Sequence, residues 1–223
     1  MKKQYNVGIL VYDFIDILDF AGPSEVLSLT AFSNFQQNIM LYKRNLPKGK
    51  PFLVKTVSET GNTIKTHTGT VIHSDYNLNN APQFDILIIP GGPLRAINKV
   101  RKNKKIIDYI VQSKNIEMIC TVCTGSLILA ETGLLDGKVA TTHHLALSLL
   151  NQKSTGIQVV KDKKVVKDGN IITSGGVSSG INMALYLIEK LINKETALRT
   201  AKILEFNSYL ESETMDVMDK INL

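Results

Sequence analysis

The chain is expected to fold as an α/β protein in which a mostly parallel sheet lies between two layers of helices. Three observations carry that expectation. Short β-branched and apolar runs recur at residues 5–11 (YNVGILV), 52–57 (FLVKTV), 84–89 (FDILII) and 117–122 (EMICTV). Three of them are almost continuously hydrophobic, as strands are when both faces of a parallel sheet are covered. Segments with helical spacing separate these runs, and strand–helix alternation builds a doubly wound sandwich. Finally, 223 residues suit one domain over 1–223 that buries a large core, with no repeat, low-complexity tract or linker to divide it.

Taken in order, the first strand is followed by a helix expected over 23–33, because Pro23 fits the first helical turn, where its missing N–H loses nothing. Residues 99–113 repeat Ile106, Ile107, Ile110 and Val111 at helical spacing, and 124–132 follows Cys123 directly as another helix. Beyond residue 137 the pattern is mixed. KVATTHH reads as a short strand, LALSLL as a short helix, and 157–175 as antiparallel edge strands separated by the polar turns KDKK and KDGN. Residues 180–193 are apolar at nearly every helical position and predict a buried helix, with a final one over 195–206.

Composition narrows the function classes. With 43% hydrophobic and 21% charged residues the chain is an ordinary globular protein rather than a disordered one. No apolar run approaches a bilayer span, and the basic tip MKK passes straight into a strand-like segment, so a cytoplasmic protein with no membrane partner is expected. The net charge of +6 comes from lysines scattered through turns and helix faces, with no interleaved aromatics, which argues against nucleic acid as a partner. Two cysteines, Cys120 and Cys123, exclude a four-cysteine metal site, argue against a disulfide framework and leave metal, redox or catalytic roles open.

Cys123 sits where an apolar strand ends and Thr124, Gly125 and Ser126 begin a helix. A cysteine on such a turn has its side chain displayed above the sheet edge with the following N–H groups pointing the same way. Three readings compete: a packed core residue, a redox pair with Cys120, and a nucleophile. Cys120 lies within the apolar strand and reads as core. An ordinary thiol has a pKa of about 8.5, and a helix N-terminus that lowered it by about three units would stabilise the thiolate by roughly 4 kcal/mol, making the anion dominant. A nucleophile also needs donors for the anion formed on attack. Gly92, in ILIIPGGPL after a buried strand, and Thr124 are the candidates for an oxyanion hole through their N–H groups.

The blocks GILVYDFIDILDFAGPSEVL, ILIIPGG, TVCTGSLILAETGLLDGKVATTHH and ITSGGVSSGINMALYLIEKL together resemble the ThiJ/PfpI superfamily of class I glutamine-amidotransferase-like proteins, across nearly the whole chain. Within it, LDFAGPSEVL and the cysteine block are most similar to the isonitrile hydratase group and to the sensor domains of AraC-type regulators. The resemblance implies a flavodoxin-like three-layer α/β/α sandwich, a homodimer, a small-molecule substrate, a cysteine nucleophile and no metal or organic cofactor. It also implies an acidic residue from the loop after the first strand. Matching LDFAGP makes that residue Asp19, so Asp19, Cys123 and Thr124 carry over as catalytic, whereas Asp13 and Asp16 do not match. His143 matches the group's TTH and is expected near the pocket; His144 stands where a tryptophan is usual and Asn182 where an aspartate is usual.

The implied activity is that of a carbon–nitrogen lyase, adding water to an isonitrile through a cysteine thioimidate to give an N-substituted formamide. A carboxyl group beside a thiolate has its own pKa raised by like charge and can supply the proton such a reaction needs. By spacing alone Asp19 equally suits a cap for a helix starting near Pro23, and Glu25 a dipole-facing role in that first turn. The rival enzyme readings are an amidase or protease, for which a histidine is wanted where Thr124 stands, and a glyoxalase or deglycase, which uses a glutamate in place of Asp19. The non-catalytic rival is a ligand or redox sensor. A DNA-binding regulator of this group carries a helix-turn-helix module that residues 207–223 are too short to supply.

Overall fold

The computed structural model of the chain describes residues 3–43, 49–153, 156–206 and 217–220. Its centre is an eight-stranded sheet. In chain order the strands are β1 (Tyr5–Leu10), β2 (Phe52–Ser58), β3 (Ile64–Lys65), β4 (Val71–Ile72), β5 (Tyr76–Asn77), β6 (Ile86–Ile89), β7 (Met118–Thr121), β8 (Val139–Ala140), β9 (Gln158–Val159), β10 (Val165–Asp168), β11 (Ile171–Ser174) and β12 (Val217–Lys220). The central sheet runs β12-β10-β11-β7-β6-β1-β2-β5, and β3–β4 and β8–β9 form two small separate pairs. Every neighbouring pair of the central sheet is parallel except the β10–β11 hairpin. The helices are α1 (Ile17–Leu29), α2 (Asn34–Tyr42), α3 (Leu94–Val100), α4 (Lys104–Gln112), α5 (Gly125–Ala130), α6 (Leu147–Asn151), α7 (Ser179–Leu191) and α8 (Lys194–Ile203). They flank a mostly parallel sheet, which is the flavodoxin-like architecture.

The central strands are apolar because helices cover them on both sides. All four residues of β6 are buried, and Ile9, Ile88, Ile119 and Ile172 of adjacent strands belong to one core with Leu127 and Leu187. Gly8 leaves room for Phe84, whose ring fills the space a Cβ would take. Helix α7 buries nine residues, as its uninterrupted apolar pattern requires.

Three expectations about elements need correction. Helix α1 starts at Ile17 rather than 23, so Pro23 lies inside it. Its buried residues Asp19, Gly22, Pro23, Val26 and Leu27 recur at three- and four-residue spacing, and this packing outweighs the missing Pro23 N–H, which leaves the Asp19 carbonyl without its helical donor. The helix expected over 99–113 is two helices. Asn103 divides them, its side chain accepting from Lys105 N and Ile106 N to start α4 afresh. The expected edge hairpin exists as β10–β11, but β12 pairs parallel with β10 and takes the edge. Among the described residues, no helix is long and apolar enough to cross a membrane.

Candidate active site

Cys123 follows β7 and precedes α5, and its φ of 57° is a left-handed backbone that a residue with a Cβ rarely adopts. The surrounding chain holds that strain. The Cys123 N–H is shared between the carbonyls of Gly175 (2.9 Å) and Ser174 (3.2 Å), while its carbonyl accepts from Thr142 Oγ1 (2.9 Å) and Ser126 Oγ (3.3 Å). Gly125 is obligatory, since a Cβ there would meet the Ile89 carbonyl at 2.1 Å. The result is a turn that sets Cys123 at the carboxyl end of the parallel strands, where open α/β sheets bind ligands, but buried rather than displayed as expected.

Asp19 comes from the first turn of α1 and is completely buried. Its Oδ2 accepts from the Gly91 N–H at 3.0 Å, whereas Oδ1 has no hydrogen-bond partner among the described residues. Gly91 has no space for a side chain: a Cβ would lie 2.6 Å from Thr124 Oγ1 and 2.8 Å from Asp19 Oδ2. Beside it, Gly92 N–H donates to Thr124 Oγ1 (3.0 Å), and the same hydroxyl donates to the Gly92 carbonyl (2.8 Å). The Gly92 N–H expected to stand open for an oxyanion is thus engaged in orienting Thr124. The Tyr12 hydroxyl donates to the Pro90 carbonyl at 2.7 Å and braces the start of this Gly-Gly turn.

Cys123 Sγ and carboxylate oxygens of Asp19 and Asp16 lie within 4.8 Å of one another. This trio is compact enough to seat a divalent cation. Burial, then the neighbouring Asp16 charge, pushes the Asp19 carboxyl up to about 7, against the Gly91 and Cys123 hydrogen bonds that lower it. Burial, then the Asp19 charge, pushes the Cys123 thiol up to about 12, with the Thr124 N–H and hydroxyl opposing. The expectation of a dominant thiolate is therefore corrected. Helix α5 has only six residues, and its dipole is outweighed by a sulfur 3% exposed beside two carboxylates. Above about pH 7 the pair holds one proton, as thiol with carboxylate, and below it two, as thiol with carboxylic acid.

Residues 25–190 match the DJ-1/PfpI family. The chain belongs to the DJ-1/PfpI family. An isonitrile hydratase of Pseudomonas putida is 32% identical over 202 residues, which are 90% of this chain and 78% of that relative. The protein dj-1beta of Drosophila melanogaster is 33% identical over 121 residues, 54% of this chain and 63% of its own. The HTH-type transcriptional regulator GbdR of Pseudomonas aeruginosa is 25% identical over 194 residues, 87% of this chain but only 48% of the regulator. Among solved structures, a ThiJ/PfpI family protein from Pseudomonas syringae superposes with a TM-score of 0.78 at 22% identity, covering 92% of this chain and 76% of that one. At that identity the likeness shows the fold alone.

On this DJ-1/PfpI framework Asp19, Cys123, Thr124 and Gly92 come together. His143 follows Thr142, which holds the Cys123 carbonyl, and it feels the Asp16 charge. Its Nδ1 accepts from Leu145 N (3.3 Å) and its ring lies 4.3 Å from that of exposed His144. Burial, then His144, lowers its pKa. Glu25 is exposed on α1. SGGVSSG backs the cysteine turn through the Ser174 and Gly175 carbonyls. Sequence reasoning set Asp16 aside as a mismatch and missed Gly91, Tyr12 and His67. Asp16 was discoverable, because a helix starting at 17 places it one turn before Asp19, and Gly91 lies in the ILIIPGG motif; Tyr12 and His67 show no local pattern.

Proposed function

We propose that this protein hydrates an isonitrile to an N-substituted formamide, with Cys123 as nucleophile and Asp19 as the group that moves its proton. The observation that carries the reading is a buried, backbone-strained Cys123 whose sulfur lies within 4.8 Å of a buried carboxyl pushed up to about 7. The similarity to the Pseudomonas putida hydratase over 90% of the chain supports it. As the sulfur attacks the isonitrile carbon, the Asp19 carboxylate takes the thiol proton and passes it to that carbon, giving R–N=CH–S–Cys123 and restoring the carboxylate. A thiol pushed up to about 12 needs this base, since almost none of it is anionic at neutral pH. The Thr124 N–H, directed at the sulfur, stabilises the charge that develops there, and the clasp between Gly92 and the Thr124 hydroxyl fixes its direction. Water then resolves the thioimidate.

The test is formamide release from cyclohexyl isocyanide. Turnover in the native protein that falls at least a hundredfold in both Cys123→Ala and Asp19→Ala is expected; equal turnover in all three ends the assignment. A second reading, ligand sensing without turnover, is favoured by the likeness to GbdR over 87% of the chain. It predicts saturable binding of a small electrophile with no formamide released.

A further inference from the structure

We infer that Asp16 and His67 form a second proton-handling pair at this site, and that His67 is the base for the water that resolves the Cys123 adduct. The inference rests on the reading of Cys123 as nucleophile. Its starting point is access. Asp19 is 0% exposed and Cys123 3%, so neither meets bulk water directly. Asp16 faces both ways: one carboxylate oxygen is within 4.8 Å of the sulfur and of an Asp19 oxygen, and Oδ1 lies 3.9 Å from His67 Nε2. The side chains are 25% exposed at Asp16 and 47% at His67, so exposure rises step by step from the buried pair to the surface.

The main chain holds this arrangement. The β3–β4 hairpin carries His67 and is stitched to the turn after β1 by His67 N–H to the Ile15 carbonyl (3.0 Å) and Phe14 N–H to the Lys65 carbonyl (2.7 Å). The Lys65 N–H also donates to Asp13 Oδ1 (3.0 Å), and the Asp16 N–H to the Gly91 carbonyl (3.1 Å). These bonds fix the His67 backbone beside Asp16, and the ring reaches within 3.9 Å of the Asp16 carboxylate. An imidazole beside a carboxylate and open to solvent is suited to take a proton from water. Among the described residues, the other imidazole that feels the Asp16 charge is His143, whose Nδ1 accepts from Leu145 N (3.3 Å), while the Asp19 carboxyl is wholly buried.

In the resolving step, water oxygen bonds to the thioimidate carbon while the His67 imidazole takes one water proton and returns it to the imine nitrogen, giving HO–CH(NHR)–S–Cys123. The carbon–sulfur bond then breaks, and the hydroxyl proton passes through Asp19 to the sulfur. The products are R–NH–CHO and the free thiol, with no oxidant or reductant consumed.

The experiment is rapid-quench intact-mass spectrometry with cyclohexyl isocyanide, run beside formamide release. His67→Ala is expected to slow release about a hundredfold more than adduct formation, so that a species heavier by one isonitrile accumulates on Cys123. Added imidazole restores release in His67→Ala but not in Asp16→Asn, which keeps the ring and loses its orienting carboxylate. Matching thermal unfolding of both variants with the native protein excludes misfolding, because the hairpin's backbone bonds survive both substitutions. Release by His67→Ala at the native rate, or a slow release indifferent to imidazole, overturns the inference. A native protein that forms neither adduct nor formamide overturns the nucleophile reading and this one with it, whereas an adduct that forms and clears equally fast in every variant overturns only this one.

Discussion

At the scale of single residues the site is a contest between burial and charge, and its outcome is readable in pH. Asp19 keeps its proton up to about pH 7 in the fold, while in an unfolded chain it loses it near 4. Between those values the native state binds the extra proton, so stability falls as pH rises, by up to about 4 kcal/mol for three units. In Asp19→Asn that slope vanishes. Urea unfolding of both proteins at pH 4.5 and pH 8 checks this, and equal slopes would contradict it. Native thiol titration is a second check: Cys123 is expected to be alkylated, with a rate that rises as pH approaches 8 and Asp19 becomes able to accept the proton. Cys120, fully buried with its thiol pushed up by desolvation, is expected to react only after unfolding. Gly91→Ala would place a methyl group 2.6 Å from Thr124 Oγ1, and is expected to abolish activity and reduce stability by about 1–3 kcal/mol.

At the scale of elements, the turn between β7 and α5 depends on two backbones approaching closely. Gly125→Ala sets a Cβ 2.1 Å from the Ile89 carbonyl, an atom that cannot rotate away, and about 3 kcal/mol or more of destabilisation is expected in a denaturant melt. A loss under 1 kcal/mol would mean that the turn can relax. Elements whose identity follows from local chemistry were legible in the sequence. The β6 and β7 runs, the α7 helix and the cysteine turn announce themselves through uninterrupted apolar residues and small residues after a strand. Boundaries decided by tertiary packing were not. Pro23 reads locally as a helix start, yet its burial among Gly22, Val26 and Leu27 makes it mid-helix, and that misplacement hid the alignment of Asp16 with Asp19. Asp19, Cys123 and Thr124 were legible as a family pattern, while the ionisation of the thiol was not, because a dipole argument sees the helix but not the two carboxylates folded against it.

At the scale of the whole molecule, the far edge of the sheet is closed by β12. Asp219 accepts from the Tyr186 hydroxyl (2.9 Å) and Lys167 Nζ (3.1 Å), and Lys220 Nζ reaches buried Asp168 at 3.2 Å. Removing residues 217–223 would bare the β10 edge and strip these charged partners; about 2 kcal/mol or more of lost stability, with concentration-dependent self-association in sedimentation, is expected. The homodimer implied by resemblance is tested in the same runs on the native chain. The way Cys123 is held has a wider meaning. Its posture is set by the carbonyls of Ser174 and Gly175 and by hydroxyls from Ser126 and Thr142, none of which depends on what the side chain at 123 is. A lineage could therefore exchange the sulfur for an inert group by one codon and inherit an intact receptor, leaving catalyst and sensor as near neighbours in evolution rather than separate inventions.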